Sequence, residues 1–183
     1  RWEQFDAEEV GRTFVGDRPS EDDGVLVQTA IGQRDVRITP LQAANMVVTL
    51  LNGGEVASPR VVKDVRYRNG AIVLSFPERT LVERGEGISG RTGKRITRWM
   101  EEVVEFGTGV SLQSAKWKLA GKSGTAETTY AGKPAVNQWF VGFGPAERPR
   151  YAVAVVAENV PENDMNRAVA VFRGVMDMLA EMK

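Results

Sequence analysis

The 183-residue sequence contains no histidine and no cysteine. Without cysteine it cannot form disulfides, thiolate zinc sites or a cysteine nucleophile. Without histidine these residues cannot form a Ser-His-Asp triad, a histidine-ligated zinc site or an imidazole general base. Proton transfer by this chain would therefore depend on lysine, tyrosine or carboxylate side chains, and neither a metal nor a cofactor is expected.

The chain also has a formal net charge of zero, because 24 basic side chains balance 24 acidic ones. A neutral chain has no general attraction to an anionic membrane or to nucleic acid, and no nucleic-acid partner is expected. The longest uninterrupted apolar run, Tyr151 to Ala157, has seven residues, which is too short for a membrane-spanning helix. With 42% hydrophobic and 26% charged residues, the composition is typical of a globular domain with its own core.

Local patterns before residue 110 predict helices and one hairpin. Trp2–Val10 is expected to form a short helix. Thr39-Pro40-Leu41-Gln42 combines a threonine N-cap, a proline at N1 and a glutamine at N3, so a helix is predicted to begin there. Val61–Phe76 alternates around Asn69-Gly70, which predicts a hairpin whose turn has positive φ at both residues. A further helix is predicted to start at Thr97.

The last third of the chain predicts three strands followed by a helix. The strand-like runs are Trp117–Thr125, Gln138–Gly144 and Arg150–Asn159, and their short connections favour an antiparallel meander. The second and third runs are nearly all apolar, so burial on both faces is expected. Asn166–Met182 has apolar residues at helical spacing. The predicted fold class is α+β, with an antiparallel sheet packed by helices.

The segment best suited to chemistry is Lys122-Ser123-Gly124-Thr125, near the end of the first strand-like run. It places an ammonium group beside a hydroxyl group, and these two donors together can bind a carboxylate. Gly124 allows a ligand backbone to approach closely, and the next amide can face a developing oxyanion. The residues alone support a second interpretation equally well, a glycine-rich strand end with a solvated lysine.

Two phosphate-loop interpretations fail on spacing. Gly121-Lys122-Ser123 resembles the end of a Walker motif, but the first glycine of that motif would fall at Lys116. Gly107-x-Gly109 would need a third glycine where Leu112 stands to form a dinucleotide-binding fingerprint. The basic stretch Arg91–Lys94 is expected to be a solvated turn.

The segment from Lys122 to Glu127 resembles the third motif, Lys-Thr/Ser-Gly, of the penicillin-binding, serine-active-site transpeptidases. From Gln28 to the C-terminus, other segments resemble this family in the same order, most closely its class B, monofunctional enzymes. These segments are Gln28–Gln33 with Ile38–Gln42, Leu51–Gly54 with Ser58–Arg60, Met100–Gly109, Trp139–Phe143 and Tyr151–Asn159. The resemblance implies part of a penicillin-binding/β-lactamase-like transpeptidase fold.

The resemblance also implies a function and roles for four residues. A family serine attacks the D-Ala-D-Ala carbonyl of a peptidoglycan stem peptide, and a second amine resolves the acyl-enzyme, so stem peptides and β-lactam antibiotics would be the ligands. Among catalytic residues, Lys122 would set the proton network and the Thr125 N–H would be one of two oxyanion donors. Lys122 and Thr125 would also bind the substrate. Ser123 would bind the substrate carboxylate, and Gly124 would leave room for the substrate beside the strand.

Two motifs of the family are absent from the sequence. None of its seven serines has lysine three positions later, as in Ser-x-x-Lys, or asparagine two positions later, as in Ser-x-Asn. Residues 1–183, which begin with Arg1 rather than methionine, are therefore expected to be the C-terminal portion of one transpeptidase domain. The N-terminal portion of that domain would carry the nucleophile and be a partner of this chain.

Further expectations follow from that division of the domain. The chain alone is predicted to be inactive, and the whole protein to lie on the extracytoplasmic face of the bacterial cell membrane, anchored by a segment outside this sequence. Without the other portion, the strand from Tyr151 to Asn159 would have an unpaired apolar edge, which favours an edge-strand dimer. Two alternatives stay open, a non-catalytic module that senses β-lactams or peptidoglycan, and a β-lactamase-type hydrolase.

Overall fold

The structure is a computed structural model that describes residues 38–161, 163–164 and 166–182, together with residues 24, 27, 28, 32 and 36. The helix predicted at Trp2–Val10 lies outside the described residues. The elements follow in the order α1 (Pro40–Leu51), β1 (Val56–Ala57), β2 (Asp64–Arg66), β3 (Ile72–Ser75), β4 (Thr80–Val82), α2 (Gly90–Phe106), a 3-10 helix (Val110–Ser114), β5 (Ala120–Tyr130), β6 (Lys133–Gly144), β7 (Tyr151–Val160) and α3 (Arg167–Glu181).

Helix α1 begins where its capping signal predicts. The Thr39 hydroxyl oxygen accepts a hydrogen bond from the Gln42 backbone N–H at 3.2 Å, and the Gln42 side-chain oxygen accepts one from the Thr39 N–H at 2.9 Å. These reciprocal bonds satisfy backbone donors that have no partner within the helix. The helix ends at Asn52, and Gly53 and Gly54 follow it with positive φ.

Strands β2 and β3 form the predicted hairpin, but its turn differs from the prediction. Gly70 has a φ of 86°, whereas Asn69 is not in the positive-φ region. The Gly70 N–H donates to the Tyr67 carbonyl and the Tyr67 N–H donates to the Ala71 carbonyl, both at 2.9 Å. The loop therefore has three residues and one left-handed glycine. The expectation of positive φ at both turn residues was wrong because it assumed a two-residue loop.

The same hairpin carries an ion pair between two residues that are two positions apart on β2. Arg66 donates two hydrogen bonds to the Asp64 carboxylate, at 2.7 and 2.9 Å. These bonds favour the charged carboxylate and hold the pKa of Asp64 below its usual value. Because both groups are in contact with solvent, the pair fixes local geometry and contributes little to stability.

Helix α2 starts seven residues earlier than predicted. The Ser89 side chain caps it by accepting a hydrogen bond from the Thr92 N–H at 3.1 Å. Gly93 lies so close to α1 that a Cβ there would be 2.7 Å from the Leu50 carbonyl oxygen. Because glycine is a poor helix former, the sequence pattern suggested a turn here. The close contact between α1 and α2, however, requires a glycine at this position. Arg91–Lys94 is therefore part of a helix, which corrects the expected solvated turn.

The C-terminal strands form the predicted antiparallel sheet in the order β5-β6-β7. Strands β5 and β6 pair along eleven residues without a register shift and are joined by Ala131-Gly132, both with positive φ. Most of β6 is buried, as expected, but β7 is half-exposed along most of its length. Strand β7 is more exposed than expected because it has only one neighbour among the described strands. The edge-strand dimer stays a prediction.

Helices cover both faces of this sheet. Helix α3 packs on one face, where Phe172 meets Phe140 of β6 with ring centroids 4.7 Å apart. Helices α1 and α2 pack on the other face, in a cluster that contains Val47, Met100 and Phe143. The α+β class is therefore confirmed. Within the described part of the chain, no helix combines the length and the apolar character needed to cross a bilayer.

The start of α3 is capped by a side chain from the sheet. Asn166 precedes the helix, but its side chain makes no capping bond. Instead, the buried side-chain oxygen of Gln138, on β6, accepts hydrogen bonds from the backbone N–H groups of Arg167 at 3.1 Å and Ala168 at 3.5 Å. This contact satisfies the first donors of α3 and fixes the helix to the sheet.

Candidate functional site

The Lys122-Ser123-Gly124-Thr125 segment lies in the first half of β5, as an extended strand. Lys122 and Thr125 are exposed, whereas Ser123 and Gly124 are half-buried. Strand alternation places Ser123 and Thr125 on one face, and Lys122 and Gly124 on the other. Among the described strands β5 pairs with β6 alone, so an extended ligand can lie along its outer edge.

The Ser123 hydroxyl is held by a second hydroxyl group that comes from another element. Its oxygen lies 2.8 Å from the hydroxyl oxygen of Thr108, in the turn that follows α2. Each hydroxyl can donate one hydrogen bond and accept two. When Thr108 donates to Ser123, the Ser123 proton is available to an anionic oxygen. Residue patterns gave Thr108 no role, because the two positions are 15 residues apart and meet only through tertiary packing.

Two glycines hold the Thr108 turn against the end of α2. The backbone N–H groups of Gly107 and Gly109 both donate to the Val103 carbonyl, at 3.1 and 3.0 Å. A Cβ at position 107 would lie 2.9 Å from that carbonyl oxygen, and one at position 109 would lie 3.2 Å from it. Larger residues would push the turn outwards and separate Thr108 from Ser123. The Gly-x-Gly spacing thus serves close packing in this turn.

Lys122 supplies a positive charge next to the backbone of Ser123. Its ammonium group donates a hydrogen bond to the Ser123 carbonyl oxygen. The side chain is exposed and forms no ion pair with any described carboxylate, so its charge is available to an anionic ligand. Trp139 of β6 lies directly opposite Gly124, and a Cβ at position 124 would be 3.3 Å from the Trp139 Cβ. Glycine at this position keeps the strand close to its neighbour.

The arrangement is suited to binding a carboxylate or an oxyanion. It combines one cation, two linked hydroxyls and the backbone of an edge strand. In the described residues no three histidine, cysteine, aspartate or glutamate side chains are grouped to hold a metal ion.

Comparison with known proteins identifies relatives along almost the whole chain. Residues 6–177 match the family model described as the penicillin binding protein transpeptidase domain. Peptidoglycan D,D-transpeptidase PbpA of Mycobacterium tuberculosis is 31% identical over 156 residues, which cover 82% of this chain and 30% of PbpA. Penicillin-binding protein 2A of Bacillus subtilis is 33% identical over 179 residues, which cover 87% of this chain and 24% of that protein.

A solved structure has the same fold over most of this chain. It is penicillin-binding protein A from M. tuberculosis in a penicillin G acyl-enzyme complex, at 28% identity and a TM-score of 0.72. The match covers 97% of this chain and 39% of the solved one. The chain therefore spans less than a third of the length of these two curated relatives, and its described fold corresponds to part of their domain.

Proposed function

Because this chain belongs to the penicillin-binding protein transpeptidase domain family, and within it resembles the class B proteins, we propose that it is part of a peptidoglycan D,D-transpeptidase. The whole protein would cross-link stem peptides in cell-wall synthesis and bind β-lactam antibiotics. The main support from this chain is the Ser123 hydroxyl, which lies 2.8 Å from the Thr108 hydroxyl and directly follows the cationic Lys122 on the edge strand β5. A proton donor next to a cation is suited to the terminal carboxylate that stem peptides and β-lactams share.

In the proposed mechanism the β5 edge forms one wall of the cleft. Ser123 donates a hydrogen bond to the substrate carboxylate, and Gly124 lets the peptide lie along the strand. Lys122 supplies positive charge and takes part in proton transfer, a role that lysine can take in a site without histidine. The backbone N–H of Thr125 stabilises the oxyanion as the serine ester forms and terminal D-Ala leaves with a proton. A second amine then attacks the ester and frees the serine.

The attacking serine and the second oxyanion donor belong, in this proposal, to a part of the domain outside these 183 residues. Support comes from the absence of Ser-x-x-Lys and Ser-x-Asn in the sequence and from the fraction of each relative that the chain spans. Residues 1–183 would then be the C-terminal portion of the domain. The whole protein would act on the extracytoplasmic face of the membrane, where peptidoglycan is cross-linked.

The isolated 183-residue chain is expected to take up no label from a fluorescent penicillin, because it lacks the serine motif that forms the acyl-enzyme. Denaturing electrophoresis after incubation checks this result, and the protein encoded by the whole reading frame serves as the positive control. A labelled band from the isolated chain would contradict the placement of the nucleophile. Rapid release of label from the whole protein would favour the hydrolase, and stable label without cross-linking activity would favour the sensor.

In the whole protein, Ser123→Ala is expected to slow acylation by penicillin about 10- to 100-fold. A hydrogen bond to a charged group contributes about 1.5 to 3 kcal/mol, which corresponds to a rate effect of this size if the bond forms in the transition state. The second-order rate of fluorescent labelling measures the effect. Ser111→Ala, at an exposed site on the 3-10 helix, is the matched control and should leave the rate unchanged. Equal rates for the two variants would remove Ser123 from the binding site.

A further inference from the structure

A recess with a volume of 1030 Å³ lies between the end of α1 and the first turns of α2. We call it the basic recess, because five of the side chains that line it are cationic, namely Arg84, Arg91, Lys94, Arg95 and Arg98. The chain as a whole has no net charge, so this accumulation of positive charge is local. None of the Lys-Ser-Gly residues of β5 lines the recess.

Four of the five cations lie on one face of α2. Positions 91, 94, 95 and 98 follow the spacing i, i+3, i+4 and i+7, which makes their side chains neighbours on the helix surface. Like charges at this spacing destabilise a helix, and cations in its first turns oppose the helix dipole. The first turn of α2 contains no acidic residue that would offset this effect. A bound anion would relieve both unfavourable interactions.

Acidic side chains neutralise only part of this charge. Arg98 lies 3.5 Å from the Glu102 carboxylate, one helical turn further along α2. On the opposite side of the recess, Arg84 lies 3.9 Å from the Glu55 carboxylate. Both ion pairs involve exposed arginines and are at the long end of the range, so they hold these groups only weakly.

The remaining three cations of the basic recess have no carboxylate partner among the described residues. The Arg95 guanidinium lies over the Trp99 ring, 5.2 Å from its centroid, a contact that orients the group without cancelling its charge. Arg91 and Lys94 form no ion pair with any described side chain. A ligand that neutralises the positive charge of the basic recess therefore carries several negative charges.

Backbone also contributes to the recess. Gly53, Gly85 and Gly90 line it, and a Cβ at position 90 would lie 3.6 Å from the Gly53 carbonyl oxygen. The absence of side chains at these three positions leaves room between the helix ends. Asn52 and Ser89 add polar side chains to the lining.

We propose that the basic recess binds a phosphate-bearing polyanion. Phosphate groups carry more charge than a single carboxylate, and the planar guanidinium groups of arginine bind phosphate oxygens two at a time. A single phosphate group carries a charge of about −1.5 to −2, which is less than the three cations without carboxylate partners, so the ligand has more than one phosphate group. These belong either to a soluble oligophosphate or to lipid headgroups at a membrane surface, and the two sources share the same recognition chemistry.

Thermal unfolding of the whole protein, followed with tripolyphosphate as the probe, tests the proposal. A ligand that binds the folded state raises the unfolding temperature with its concentration, and the rise should shrink with added sodium chloride. Flotation with phosphatidylglycerol vesicles forms the second arm. Binding to tripolyphosphate supports a soluble ligand, and binding to vesicles alone supports headgroups. Binding to neither probe would overturn the proposal.

Charge-matched variants test whether binding occurs in the recess. The double variant Arg91→Gln/Lys94→Gln is expected to weaken binding of tripolyphosphate or vesicles at least about tenfold, because two cations without carboxylate partners are lost. Lys133→Gln/Arg148→Gln removes the same charge at exposed positions outside the recess and should change binding less than about twofold. Equal losses in both variants would show nonspecific attraction and overturn the site.

The variant at positions 91 and 94 is expected to fold, because it removes like-charge repulsion from α2. Circular dichroism checks its helix content. If that variant does not fold, Arg84→Gln, which changes the opposite wall of the recess, replaces it in the same comparison. Unchanged binding by a folded Arg84→Gln variant would then contradict the proposal.

Discussion

Replacing Phe172 with alanine is expected to lower the free energy of unfolding by about 3 to 5 kcal/mol, the range for a buried phenylalanine. Its side chain is fully buried, and the ring centroid lies 4.7 Å from that of Phe140. The ring also fills the space over Gly142, where a Cβ would lie 2.8 Å from it. Alanine would leave a cavity between α3 and the sheet. Because a domain of this size is stable by about 5 to 15 kcal/mol, the loss is a large part of the total.

Urea unfolding followed by circular dichroism measures this change. The matched control is Val171→Ala on the same helix, where the side chain is 48% exposed. Alanine is the better helix former, so the control is expected to change stability by less than about 0.5 kcal/mol. A loss below about 1 kcal/mol for Phe172→Ala would mean that α3 does not pack on the sheet as described.

The second large effect is expected for Gly54→Ala, which should destabilise the fold by at least about 3 kcal/mol. Gly54 has a φ of 99°, a conformation that costs other residues about 1 to 2 kcal/mol. An added Cβ would also lie 1.7 Å from the carbonyl oxygen of Ile88. That oxygen belongs to the backbone just before α2, so the clash can be relieved only by moving the start of the helix.

Gly85→Ala separates these two costs. Gly85 has nearly the same φ, 97°, but nothing lies within 4 Å of a Cβ built there. This control is therefore expected to lose only the conformational part, about 1 to 2 kcal/mol. The difference between the two variants in urea unfolding measures the contact between Gly54 and Ile88. Equal losses would show that the close approach of the two segments is not needed for folding.

Several elements could be predicted because their signals lie within a few residues of each other. The capping box at Thr39 fixed the start of α1, and the apolar spacing of residues 166–182 predicted α3. The start of α2 could not be predicted in this way. Gly93 lowers helix propensity, and the reason for it lies across the contact with Leu50, 43 residues earlier in the chain. The turn at Gly70 was misassigned because loop length depends on the register of the paired strands.

The sequence by itself determined the family, the order of the C-terminal strands and the place of Lys122-Ser123-Gly124 on one of them. Those features depend on strand periodicity and on motifs that are continuous in the chain. Only the tertiary structure placed Thr108 against Ser123 and brought Arg84 into the same recess as the cationic face of α2. These contacts join residues that are distant in sequence, and they form because packing of helices against a sheet, rather than any local pattern, brings the residues together.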